Sequence, residues 1–163
     1  MKTFRGFTKD MKTTDRKQRI ALTVISVLIV LATLFIWSNS LKGPEQSDEE
    51  SGFVVTLLKP FLSFIGIEED SMNHAVRKAA HFAEFALLGI LVFLLLKHVG
   101  KRFTGYGLFY GLSVAVIDEF IQSFTGRGTS VIDVLIDFSG FLFALLLGSL
   151  ISFIAIRIKN RKT

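Results

Sequence analysis

The sequence predicts an all-α fold, an integral membrane four-helix bundle with an exoplasmic interfacial amphipathic segment. Three observations carry this reading. Half of the 163 residues are hydrophobic, 17 are Phe, only 20% are charged, and the mean hydropathy is +0.52. A water-soluble domain of this size rarely holds so much apolar mass. The apolar residues gather into four runs, each close to the length needed to cross a hydrocarbon core of about 30 Å. The 19 Lys and Arg residues cluster between those runs, as in multi-span membrane proteins. A net charge of +5 first suggests nucleic acid, but cations that flank membrane spans suit anionic inner-leaflet lipids, so no nucleic-acid partner is expected. Cysteine is absent, which excludes disulfides, thiolate metal sites and a cysteine nucleophile.

The elements follow in chain order. Residues 1–19 form a basic N-terminus with seven cations, ahead of a first run at 20–37 that is free of charge. That run exceeds the usual apolar core of a signal peptide, and Ser38-Asn39-Ser40 is a poor cleavage site, so a retained span is predicted. The second run, 79–96, carries His81 and Glu84 near its start. The third, 103–122, carries Asp118 and Glu119 near its end. The fourth, 131–156, carries Asp133 and Asp137 near its start and precedes a basic tail at 157–163. Fourteen of the 19 cations fall before the first run, between the second and third, or after the fourth. The positive-inside rule therefore puts both termini in the cytoplasm of a multi-pass membrane protein with four spans. The membrane domain is read as 20–156.

Between the first two spans, the acidic stretch Glu45, Asp48, Glu49 and Glu50 reads as a solvated turn. Phe53, Val54, Leu57, Leu58, Phe61, Leu62 and Ile65 then recur at helical spacing. The segment is too short to span, and Pro60 is expected to kink it. It reads as an amphipathic piece on the outer interface, or as a packed extracellular loop.

Ionisable residues inside spans are costly and mark functional sites by default. Arg77, Lys78, His81, Glu84, Asp118, Glu119, Gln122, Arg127, Asp133 and Asp137 all fall at the exoplasmic ends of spans two to four, so three helix ends are expected to converge there. Spacing sharpens the expectation. Arg77, His81, Glu84 and Leu88 share a helical face, as do Asp118 with Gln122 and Asp133 with Asp137. Small residues extend the stripes: Gly107, Gly111 and Ala115 in span three, and Gly140, Ala144 and Gly148 in span four. Such stripes let helices approach closely in lipid. They are expected to pack spans three and four against each other; their second use would be a homo-oligomer.

Helix dipoles argue in the same direction. Asp118 and Glu119 sit toward a C-terminus and Arg77 and Lys78 toward an N-terminus, each the unfavourable end for its charge. Both placements make sense if the two sets face each other, with Arg77 and Arg127 paired to Asp118, Glu119 or Glu84. Simpler readings stand beside this one. Asp133 follows Ser130 by three residues and fits a capping box. Glu119 fits headgroup water, Lys78 fits snorkelling, and His81 fits an interhelical hydrogen bond. His74 and His98 are assigned no role.

The motifs Arg77-Lys78-Ala79-Ala80-His81-Phe82-Ala83-Glu84-Phe85 and Asp118-Glu119-Phe120-Ile121-Gln122-Ser123-Phe124, followed by Gly126-Arg127, Asp133 and Gly140, resemble the VanZ-like family of bacterial membrane proteins. Trp37-Ser38-Asn39-Ser40 is similar to the family's opening. Asp137 stands where that family usually has Asn, which adds a charge. The resemblance implies a four-span protein of the bacterial cytoplasmic membrane, whose namesake is linked to resistance against teicoplanin, a glycopeptide with an acyl chain.

The expected site comprises Arg77, His81, Glu84, Asp118, Glu119, Gln122, Arg127 and Asp133, with no cofactor and no resident metal. Its expected task is to bind an amphiphile at the outer leaflet, either a lipoglycopeptide or a lipid-linked cell-wall intermediate, among membrane lipids. Arg77 and Arg127 suit a phosphate or carboxylate. With every carboxyl ionised and His81 neutral, the polar layer carries two excess negative charges, so it is not a bare anion pocket. A metal-assisted intramembrane hydrolase or transferase acting on a lipid-linked phosphate, and an anionic-lipid transporter, are the alternatives. The chain lacks H-E-x-x-H, and Ser123 has no evident oxyanion partner, so an enzyme is the less favoured class.

Overall fold

A computed structural model describes residues 3–126 and 128–161 of the chain. Among these residues the structure is all helix and turn, without a strand. The helices are α1 (Thr3–Ser40), α2 (Pro44–Phe64), α3 (Glu69–Val99), α4 (Thr104–Ser123) and α5 (Val131–Arg161), with a 3-10 turn at Lys101–Phe103. Helices α1, α3 and α5 are each long and apolar enough to cross a membrane. Helix α4 has 20 residues, which rise about 30 Å, and its hydropathy is lowered by Asp118, Glu119 and Gln122. All three are buried against neighbouring helices rather than presented outward. The outer surface carries Val24, Leu31, Phe35, Phe109, Leu146 and Phe153, each more than half exposed. Such a girdle is intolerable in water and ordinary in lipid.

Specific contacts give the helix directions. Thr33 meets Tyr110, Trp37 donates to the Val114 carbonyl, and Ser40 donates to Asp118, so α1 and α4 run parallel. Lys78 meets Asp133, His81 meets Asp137, and Phe93 lies over Gly148, so α3 and α5 run parallel as well. The two C-terminal ends of α1 and α4 therefore lie at the same end of the bundle as the two N-terminal ends of α3 and α5. Four helix ends converge there, one more than expected, because α1 contributes Asn39 and Ser40.

The core is thin. Ile36, Phe85, Leu88, Val92, Val114, Ala115 and Phe141 are almost wholly buried. The small-residue stripes do pack inside the bundle, but not as anticipated. In α5, Gly140 lies against the Phe82 backbone and Gly148 against the Phe93 ring, both in α3. Gly89 answers from α3 by admitting the Phe141 carbonyl and the Ala144 side chain. The α5 stripe thus serves α3, not α4. Only Gly111 holds to the expected pairing, since a Cβ there would sit 2.6 Å from the Phe141 ring. The large Phe141 points at α4, so the small face of α5 is left for α3.

Helix α2 starts with Pro44 in its first turn, where a missing N–H costs nothing. It continues through Pro60 into its last turn. Leu62 and Ser51 are buried, while Phe53, Leu57, Phe61 and Phe64 are 60–86% exposed. These four form one apolar stripe along the helix, as an interfacial helix requires.

Candidate functional site

At the converging end the bundle opens into a cavity of about 270 Å³, lined by Pro44, His74, Arg77, Lys78, His81, Gln122, Gly126, Gly128, Asp133, Ile136 and Asp137. Its geometry rests on two carboxylates and one imidazole. Asp118 has no solvent exposure and Asp137 almost none. His81 Nδ1 lies 3.7 Å from Asp118 Oδ2 and 3.9 Å from Asp137 Oδ1. These are short charge separations rather than hydrogen bonds.

Asp118 is held from two sides. The Ser40 hydroxyl donates to Oδ1 over 2.6 Å, and the Gln122 amide donates to Oδ2 over 2.8 Å. Gln122 reaches it because the two are one helical turn apart. Ser40 reaches it because it ends α1 beside α4. A buried carboxylate is tolerable only when its oxygens are satisfied, and here both are.

Lys78 does not merely snorkel. Its Nζ lies 3.0 Å from Asp133 Oδ1, both side chains being about one-third exposed. Asp133 is in the first turn of α5, where an anion is favoured by the dipole. The expected capping box forms in altered shape. The Ser130 hydroxyl accepts the Ile132 N–H, but the Ser130 N–H is claimed by Glu119 Oε1 rather than by Asp133. Glu119 is consequently buried and does not face headgroup water. A carboxylate at the unfavourable end of α4 thereby serves the favourable end of α5, which resolves the dipole conflict seen in the sequence.

The remaining expected residues separate. Glu84 is turned away from the main cavity and accepts a 2.7 Å hydrogen bond from the Asn39 amide. It lines a second cavity of about 190 Å³ with Asn39, Lys42, Ser47 and Ser51. Arg77 and His81 border both cavities and so form the partition between them. Arg127 lies outside the described residues; its neighbours Gly126 and Gly128 line the main cavity.

Three residues absent from the expected site take part in it: Asp137 lines the main cavity, Ser40 bonds Asp118, and Asn39 bonds Glu84 in the second cavity. Asp137 was signalled by its four-residue spacing from Asp133. Asn39 and Ser40 were signalled by the polar run that closes the first span and by its likeness to the family's opening. His74, assigned no role, lines the main cavity as well.

An all-helical bundle with an exposed apolar girdle, three helices long and apolar enough to cross a membrane, and a polar cavity at one end is the form of a helical membrane protein. The family model for VanZ/LLP1 matches residues 24–152, and the chain belongs to that family. No curated protein and no solved structure matches it.

Proposed function

We propose that this VanZ-family protein binds the charged headgroup of an amphiphile at the outer leaflet, the acyl part staying in lipid. The observation that carries this reading is the cavity itself. It places cations, carboxylates and an amide at one end of an otherwise apolar bundle. Its volume of about 270 Å³ falls just below the roughly 300–1,000 Å³ typical for drug-sized ligands. A polar head fits; a whole amphiphile does not. Beside the cavity, Val131, Ile132 and Leu135 are 59–77% exposed and offer an apolar track for the attached chain. The distribution of cations along the sequence supports an orientation with this end outside and both termini in the cytoplasm.

Within this reading the ligand is an acylated glycopeptide or a lipid-linked cell-wall intermediate, and the protein confers teicoplanin resistance by engaging one of them. The experiment compares teicoplanin and vancomycin susceptibility of a sensitive Gram-positive host expressing the wild type, Asp118→Asn or Arg77→Ala at equal membrane levels. Selective protection against teicoplanin, lost in both variants, is the expected result. Equal protection by wild type and variants removes the cavity from the role. No protection by the wild type removes resistance and leaves the lipid-linked intermediate, tested by direct binding of labelled lipid to purified protein.

A further inference from the structure

We propose that His81, Asp118 and Asp137 form a divalent-cation site at the floor of the main cavity. One ligand atom from each of the three lies within 4.8 Å of the others. Ligands around a divalent ion at about 2.1 Å stand roughly 3.0–3.4 Å apart. The His81 separations of 3.7 and 3.9 Å come into that range by a contraction of about 0.3–0.9 Å, which side-chain rotation supplies.

A second observation points at a ligand. The Asp137 side chain is only 3% exposed and lines the cavity, yet among the described residues nothing donates a hydrogen bond to it. Its recorded polar neighbour is the His81 imidazole. A buried carboxylate left so is costly unless a cation joins it. Asp118 is by contrast already oriented, by Ser40 and Gln122. Outer-shell donors of this kind fix metal-ligating carboxylates.

The donor set narrows the ion. One imidazole and two carboxylates suit a borderline divalent ion, Zn²⁺ or Mn²⁺. Three protein ligands leave coordination positions open, and His81 and Asp137 line the cavity from which further ligands can come. The ion also settles the charge of the cavity. With His81 neutral, the described groups Arg77, Lys78, Asp118, Asp133 and Asp137 sum to −1; a divalent ion makes that +1. An anionic headgroup then enters a site of opposite sign. The cation site itself stands on its own geometry, apart from the headgroup reading.

The test uses the full chain in detergent micelles, stripped with EDTA and titrated with Zn²⁺ or Mn²⁺ alone. Calorimetry and elemental analysis after dialysis should find about one ion per chain. Asp137→Asn and His81→Gln should each weaken binding about 10-fold or more with helical content and thermal midpoint retained. Glu49→Gln, on α2 away from the cavity, should leave binding unchanged. No bound ion at saturating free metal, or unaltered binding in both site variants, overturns the proposal. Because no amphiphile is present, this outcome is independent of the headgroup reading.

Discussion

The Ser40 hydroxyl donates to Asp118 Oδ1 over 2.6 Å, with neither residue exposed to solvent. This bond ties the end of α1 to the end of α4 and orients the deepest carboxylate of the bundle. Ser40→Ala removes the donor and strands a buried charged oxygen, at a cost of about 1–3 kcal/mol. Reversible unfolding in mixed micelles should register that loss. Ser40→Thr should recover much of it, and failure of the threonine to do so would show that packing, not the hydroxyl, matters there.

Gly140 packs on the Phe82 backbone, where neither partner can rotate away. Gly140→Val should force α5 from α3 and destabilise the protein by about 1–3 kcal/mol. Gly52→Ala meets open space and should be neutral or stabilising within about 1 kcal/mol. Thermal stability of the two purified variants compares them directly. A tolerant Gly140→Val would mean that the α3–α5 contact is looser than described.

Glu119 caps α5 through the Ser130 N–H. Glu119→Gln retains an acceptor oxygen and should preserve the fold, whereas Glu119→Ala should cost about 0.5–2 kcal/mol. Hydrogen exchange at the first turn of α5 reads the effect locally. Equal protection in both variants would assign that turn's stability to Lys78 and Asp133 instead.

Lys78 and Asp133 are each about one-third exposed, so their pairing is screened. A double-mutant cycle with Lys78→Met and Asp133→Asn should yield a coupling of about 0.2–1 kcal/mol that shrinks with salt. A much larger, salt-insensitive coupling would mean that the pair is closed off from water.

The absence of Cys makes orientation directly measurable. Ser47→Cys should react with a membrane-impermeant maleimide on intact cells, and Lys159→Cys only after permeabilisation. The reverse pattern would invert the topology and place the cavity inside.

Much of this architecture was legible from the chain, because charge is rare in apolar runs and each exception stands out. The convergence of polar helix ends followed from helical spacing and from the cost of burying charge, whereas the particular approach of Asp137 to His81 did not, because Asp137 stands outside the expected site. The part played by α1 did not. Ser40 and Asn39 are uncharged and occur at a span end, where polar residues ordinarily meet water. The packing of α1 against both α4, which takes Ser40, and α3, which takes Asn39, turns them inward. The destination of the α5 stripe was hidden for a related reason. Spacing shows that Gly140, Ala144 and Gly148 share a face, but not which helix fills it. The bulk of Phe141 on the other side decides that.

The buried acids of α4 bear on how the protein is made. A segment carrying Asp118, Glu119 and Gln122 is a poor candidate for partitioning into lipid alone. Its bonding partner Ser40 was synthesised 78 residues earlier and waits in the membrane as a template. The cap on Glu119 arrives later, with Ser130. Helix α4 thus enters the membrane as a dependent guest, received by the first helix and secured by the last. Chains interrupted before α5 should be recognised as unfinished and degraded.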